Sequence, residues 1–409
     1  MVKYEIKKVF SRTSSKVALL FLLALLLFVS NAAVNAGIYA DETGENRSGI
    51  AAARGRMEQK RQWAGTLDTE RIQEVIRKNS ELVAEQDAVS TEDVKKNNQI
   101  FHKKIGFLDI RQMLIYSFND FNGYDYYLPD KLSPEDAAEF YPNRVKHLEE
   151  WLELKENEEQ FSENEKTFLV EKYEELETPI QYEPADGWGN MFELMPMLIM
   201  ITMLALGFLV AGIFSSEFQW KANAVLYSSY YGRSKAVSAK IKAGLLIVTV
   251  IYWAEVLLYS AIVLGVYGLD GMNCVIQISY WKSFYNITYG ELYFLTIFGG
   301  YVGTVFLMLL CMLVSAKSKS AVVAVIVPFV LLFLPEFLRD ALQGKVFNLI
   351  KGMLPDQLLQ VNMIVRYFNL YEIGGRITGA VELLFPVYIV LSVLLCPVLY
   401  FVYKRAEVK

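Results

Sequence analysis

Six predominantly apolar stretches of about twenty residues, at 17–38, 191–213, 243–267, 292–315, 320–338 and 382–403, constrain this 409-residue chain more than any other feature. A hydrocarbon core about 30 Å thick takes roughly 20 helical residues to cross, and lipid offers a backbone amide no partner outside its own segment. Such runs predict transmembrane helices, and so an all-α membrane protein with six spans. Composition agrees, since 54% of the residues are hydrophobic. A cleaved signal peptide is the rival reading of the first run, because Val34-Asn35-Ala36 before Gly37 resembles a cleavage site. The five remaining spans would then strand one terminus outside the cell.

The net charge of -5 conceals two regions of opposite sign. Residues 39–190 hold 33 acidic and 19 basic side chains, whereas the rest of the chain holds 12 acidic and 21 basic ones. An acidic soluble domain therefore interrupts a basic, apolar chain. If the N-terminus is cytoplasmic, the inner segments are 1–16, 214–242, 316–319 and 404–409. Together they carry 15 Lys and Arg, against only Glu5, Glu217 and Glu407. That asymmetry is the one that orients membrane proteins, so both termini are expected in the cytoplasm and 39–190 outside. The absence of cysteines from 39–190 and the frequent Lys and Glu fit a bacterial plasma membrane.

The domain at 39–190 reads as helical. Ser90 with Asp93, Ser133 with Asp136, and Ser162 with Glu165 have the spacing of capping boxes, and Pro134 suits a first helical position. Apolar residues recur three or four apart in 69–87, 92–119, 134–155 and 163–177. Tyr124, Tyr126, Tyr127 and Tyr141 cluster around Pro129 and Pro142, where a packed loop is expected and an aromatic recognition patch is the alternative. The Glu-rich run 149–177 reads as a solvated helix face. At 184–189, Pro and Gly break the helical pattern, and Trp188 is expected at the headgroup level. His102 and His147 are isolated from Cys and acid clusters, so no metal site is expected. Cys274, Cys311 and Cys396 lie outside this domain, so disulfides do not fold it.

Catalytic and nucleotide motifs are missing. There is no glycine loop ending in Gly-Lys-Ser/Thr; Gly232-Arg233-Ser234-Lys235 lacks both the upstream glycine and the preceding strand. His-Glu-x-x-His and Gly-x-Ser-x-Gly are also missing, which leaves a membrane-embedded enzyme as the weakest reading. The chain is expected to bind no cofactor of its own, and any ATP belongs to a partner polypeptide.

The loop 214–242 is long, basic and aromatic. Glu217 follows the second span, Trp220, Tyr227, Tyr230 and Tyr231 come next, then Gly232-Arg233-Ser234-Lys235, and Lys240 opens the third span. A short amphipathic helix along the inner surface suits this pattern. An acid after the second span, a Gly-Arg-Ser turn and a following lysine resemble the permease subunits of type-2 ABC exporters. Tyr4-Glu5-Ile6-Lys7-Lys8-Val9-Phe10 is similar to that family's membrane-surface helix, and the apolar stretch 345–375 to its short outer helices that dip into the bilayer. The interruption of about 150 residues between the first two spans is larger than is common there. The resemblance implies cytoplasmic ABC ATPase subunits as partners, contacted through Glu5, Lys7, Lys8, Glu217, Arg233 and Lys240. It also implies a second permease or a copy of this chain, surrounding lipid, and no nucleic acid. The implied function is export of an amphipathic peptide or lipid-like substrate by alternating access.

Glu255 lies near the middle of the third span, where an ionised carboxylate is costly unless paired or wetted. A hydrogen bond to another span is expected, with a substrate or coupling role as the alternative. Glu193, Glu291, Glu336 and Glu382 lie near span ends, and Pro196, Pro328, Pro386 and Pro397 are candidate helix bends. The alternative function is a membrane-anchored peptide-sensing or immunity-type receptor that binds through the outer domain without transport.

Overall fold

The computed structural model describes residues 1–158, 160–337 and 344–405. The last residue of the fifth predicted span and the tail beyond Arg405, with Glu407, lie outside the described residues. Among the described residues, five helices are long and apolar enough to cross a membrane. They are α2 (Thr13–Val34), α10 (Asp186–Gln219), α12 (Lys235–Tyr267), α13 (Tyr289–Ser318) and α17 (Ala380–Lys404). At the place of the fifth predicted span stands a shorter apolar helix, α14 (Ala321–Phe337).

Helix α10 is the hub, packed against α2, α12, α13 and α14. At 1.5 Å rise per residue its 34 residues reach about 50 Å, well beyond a bilayer core. The excess emerges at both ends of the bundle, and each end carries a charged cluster. By contrast, α2 and α17 leave large apolar side chains open: Leu20 and Phe28 on one, Val393 and Phe401 on the other. Helices apolar on every face yet so exposed suit lipid or another membrane helix.

The N-terminal segment forms α1 (Val2–Phe10), separated from α2 by Ser11 and Arg12. Between α2 and α10 lies a mainly helical domain. It contains α3 (Gly49–Arg61), α4 (Thr69–Asp87), α5 (Val94–Ile105), α6 (Leu108–Phe118), α7 (Pro142–Leu152), the short α8 (Lys155–Glu158) and α9 (Glu163–Glu174). Two-residue strand pairs tie Tyr39–Ala40 to Asn46–Arg47 and Gly65–Thr66 to Gln181–Tyr182.

Four sequence expectations for this domain need correction. The stretch 92–119 is two helices, divided at Gly106, where a Cβ would collide with the Trp63 ring. The stretch 134–155 is likewise divided, into a 3-10 turn at Pro134–Glu139 and α7. Ser90 caps nothing: Asp93 is itself the N-cap of α5 and accepts from the Lys96 amide. Tyr124, Tyr126 and Tyr127 are exposed rather than packed, although Tyr141 does pack and bonds the Leu67 carbonyl. The other two capping boxes form, at Ser133–Asp136 and Ser162–Glu165, and a third at Thr288–Glu291 opens α13.

Trp188 is also corrected. Its ring is only 2% exposed and its indole N–H donates to the Asp270 carbonyl, so it packs inside the protein instead of facing headgroups. The helix α10 begins at Asp186, two residues before it, which turns that ring toward Phe192 and Tyr293.

After α14, the amphipathic stretch resolves into α15 (Lys345–Gly352), a 3-10 turn at Gln357–Gln360 and α16 (Val361–Ile364), then a hairpin pairing Leu370–Ile373 with Arg376–Gly379. Leu358, Leu359 and Val361 are wholly buried against α13. That approach depends on Gly299 and Gly303. A Cβ at 299 would come within 2.7 Å of Val361 Cγ2, and one at 303 within 3.0 Å of Leu358 Cβ.

Candidate functional site: a charged latch beneath the N-terminal helix

Four of the six residues carried over for coupling meet in one cluster. Glu217 sits at the C-terminal end of α10, the end whose free carbonyls repel an anion, so it requires cations. Two supply them. The ammonium of Lys240, from the first turns of α12, donates to Glu217 Oε1 at 2.6 Å and to the Ile213 carbonyl at 2.8 Å, and lies 3.3 Å from Glu5 Oε2. Lys8, from α1, reaches the same Glu217 oxygen at 2.6 Å and Glu5 Oε2 at 2.6 Å. Burial alone would lower the Lys8 ammonium's affinity for its proton, but Glu217 and Glu5 outweigh burial and raise its pKa.

The Lys240 side chain is fully buried, with its three N–H directions occupied. Lys240 and Glu217 are therefore not open to a partner; they clamp α1 across the ends of α10 and α12. Lys7 and Arg233 are outside the cluster. Lys7 is exposed. Arg233 is exposed too, lying over the Tyr227 ring at 4.8 Å and donating to the Lys404 carbonyl at 3.4 Å. The loop itself bears one short helix, α11 (Asn223–Ser228), with Trp220 and Tyr230 exposed beside it. A basic cavity of about 430 Å³ opens next to the latch, lined by Met1, Val2, Ser234, Lys235 and Lys242 among others.

The opposite end of the bundle carries a second buried cluster, which sequence reasoning missed. Asp186, in the first turn of α10, accepts from Arg56 Nε at 2.6 Å and Lys60 Nζ at 2.7 Å. Lys60, 1% exposed, also bonds both oxygens of Asp109, which accepts from the Tyr182 hydroxyl as well. Nearby, Arg61 pairs with Asp270 at 2.8 Å. Further along this face, buried Arg144 of α7 donates to the carbonyls of Trp281, Ser283 and Tyr173, its guanidinium 3.8 Å from the Tyr173 ring centre. Among the described residues no carboxylate pairs with it, and burial pushes its pKa down to about 10. These bonds tie the domain to the segment joining α12 to α13.

Glu255 is buried, and its Oε2 has no hydrogen-bond partner, so the expected bond to another span is not formed. No group of three or more His, Cys, Asp or Glu with metal-binding geometry occurs among the described residues. His102 instead bonds the Ala40 carbonyl and Gln59.

Long apolar helices packed around α10, with a short N-terminal helix clamped across one end, define a multi-pass membrane protein. The family model described as ABC-2 family transporter protein matches residues 11–403, nearly the whole chain, and the chain belongs to that family. It is thus a membrane transport subunit, of a class that works with ABC ATPase partners and has no nucleotide-binding domain of its own. No curated protein and no solved structure matches it.

Proposed function

We propose that this chain is the permease of an ATP-driven exporter, crossing the membrane six times with both termini in the cytoplasm and the α3–α9 domain outside. The observation that carries this reading is the Glu5–Lys8–Glu217–Lys240 cluster, because it joins a surface helix to the ends of two spans beside an exposed basic surface. A cytoplasmic ATPase closing on ATP would press on α1, Lys7 and the Arg233 turn. The latch then passes that displacement into α10 and α12 rather than letting α1 slide. The positive-inside charge pattern supports the orientation, and α14 supplies the sixth crossing. A second permease or a copy of this chain covers the open faces of α2 and α17. The buried ties of the outer domain to the spans favour a gate or a delivery surface over a free-standing receptor. An amphipathic peptide or lipid-like cargo suits the apolar pathway.

Purification of the full-length chain from its host in mild detergent tests the reading. A nucleotide-hydrolysing subunit should copurify, and Arg233→Glu should weaken that association about tenfold by reversing a contact charge. Failure of any ATPase to accompany the intact chain in several mild detergents would overturn it.

A further inference from the structure

Where the α3–α9 domain meets the segments before α13 and after α16 there is a cavity of about 270 Å³. Tyr116 of α6 forms one side, Tyr280 and Trp281 another, and two cations, Lys282 and Arg366, line it together. Among the described residues the Lys282 ammonium has no salt bridge or hydrogen bond; it rests 4.9 Å from the Phe121 ring centre and 6.0 Å from that of Tyr116. Burial lowers its pKa. Arg366 donates one N–H to the Tyr280 hydroxyl at 2.9 Å and lies over that ring, while its Nε is buried with no partner. The nearest carboxylate, Glu193, is 4.0 Å from the guanidinium and largely exposed. By contrast, three fully buried cations, Lys240, Lys60 and Arg144, each use several acceptors. Two half-buried cations face one aromatic-walled cavity, and among the described residues their only ion pair is the long one from Arg366 to exposed Glu193, which leaves an unfilled demand for negative charge.

We propose that this cavity binds a phosphate group, held by Lys282 and Arg366, with the remainder of the ligand resting on Tyr116, Tyr280 and Trp281. A compact phosphate head fits the volume, and its oxygens accept in several directions at once, as the fork of Arg366 and the three ammonium hydrogens require. The phosphate comes either from a lipid headgroup or from a soluble phosphoester. The site does not depend on the transport reading, because binding needs neither ATP nor a partner.

The test uses the full-length chain in detergent micelles, titrated with dihexanoyl-phosphatidylglycerol and separately with glycerol phosphate. Tryptophan fluorescence reports through Trp281, and thermal unfolding gives a second readout. Saturable binding is expected, weakened about tenfold in Lys282→Gln and further in Lys282→Gln with Arg366→Gln. Glu193→Gln should bind as well as the unaltered chain or better. Lys282→Gln breaks no hydrogen bond, so it should fold even if the double variant does not. Response to the lipid alone assigns the site to headgroups; response to both probes assigns it to phosphate in general. Absence of saturable binding, or equal affinity in Lys282→Gln, would overturn the proposal.

Discussion

Lys240 is the residue on which the latch turns. It carries a charge into a place without water and is tolerated only because Glu217, Glu5 and a carbonyl surround it. Lys240→Met should therefore destabilise the fold by about 3 to 5 kcal/mol, whereas Lys240→Met combined with Glu217→Met should recover much of that loss. Thermal unfolding of the two variants in micelles measures the difference. A double variant no more stable than the single one would mean that the pair is not coupled. For Lys8, whose folded pKa is raised, the stabilisation is fully present below the unfolded lysine value of about 10.4 and disappears as pH climbs past the folded value. The gap in unfolding temperature between the unaltered chain and Lys8→Met should thus stay flat from about pH 6 to about pH 9 and shrink only in stronger alkali. Lys8, Glu217 and Lys240 were legible as important from the resemblance of their surroundings to a known permease loop. That they bond one another was not, because 209 residues separate Lys8 from Glu217 and only tertiary packing brings them together.

Elements were read from sequence in proportion to how local their causes are. Helices α4 and α9 follow from apolar periodicity, and α9 also from the Ser162 box, which needs only residues three apart. The division between α5 and α6 was hidden, since Gly106 there sits under the Trp63 ring, which comes from the turn after α3. The burial of Trp188 was hidden for the same reason. Its surroundings come from α13 and from the segment after α12. Ser162→Ala should cost the outer domain about 1 kcal/mol, a shift readable in its thermal unfolding. A larger effect belongs to Gly299→Val. The added side chain would press on Val361 and the Leu358 carbonyl and displace the buried turn at Gln357–Gln360. Overpacking of that kind costs about 1 to 3 kcal/mol, so protease resistance near residue 360 should fall while the α1 latch stays intact. Unchanged resistance would show that the turn can move without cost.

At the scale of the whole molecule, two buried charge clusters bracket the same long helix. Glu217 near one end of α10 is tied to α1 and α12, and Asp186 at the other end is tied to α3 and, through Lys60, to α6. A continuous helix tied at both ends links the two clusters even with Pro196 inside it, so a push on α1 should alter the outer domain about 50 Å away. The decisive measurement separates orientation from coupling. With the three native cysteines replaced, a single cysteine at exposed Tyr126 should react with an impermeant maleimide on intact cells, and one at exposed Tyr230 only after the membrane is opened. If both react from the same side, the six-crossing arrangement fails and the latch cannot face a cytoplasmic motor. If the orientation holds, ATP added to the assembled complex should change the labelling rate at position 126. Arg56→Met combined with Lys60→Met should weaken that change while leaving hydrolysis in place, because the pair removes both salt bridges from α3 to Asp186 and leaves the latch untouched.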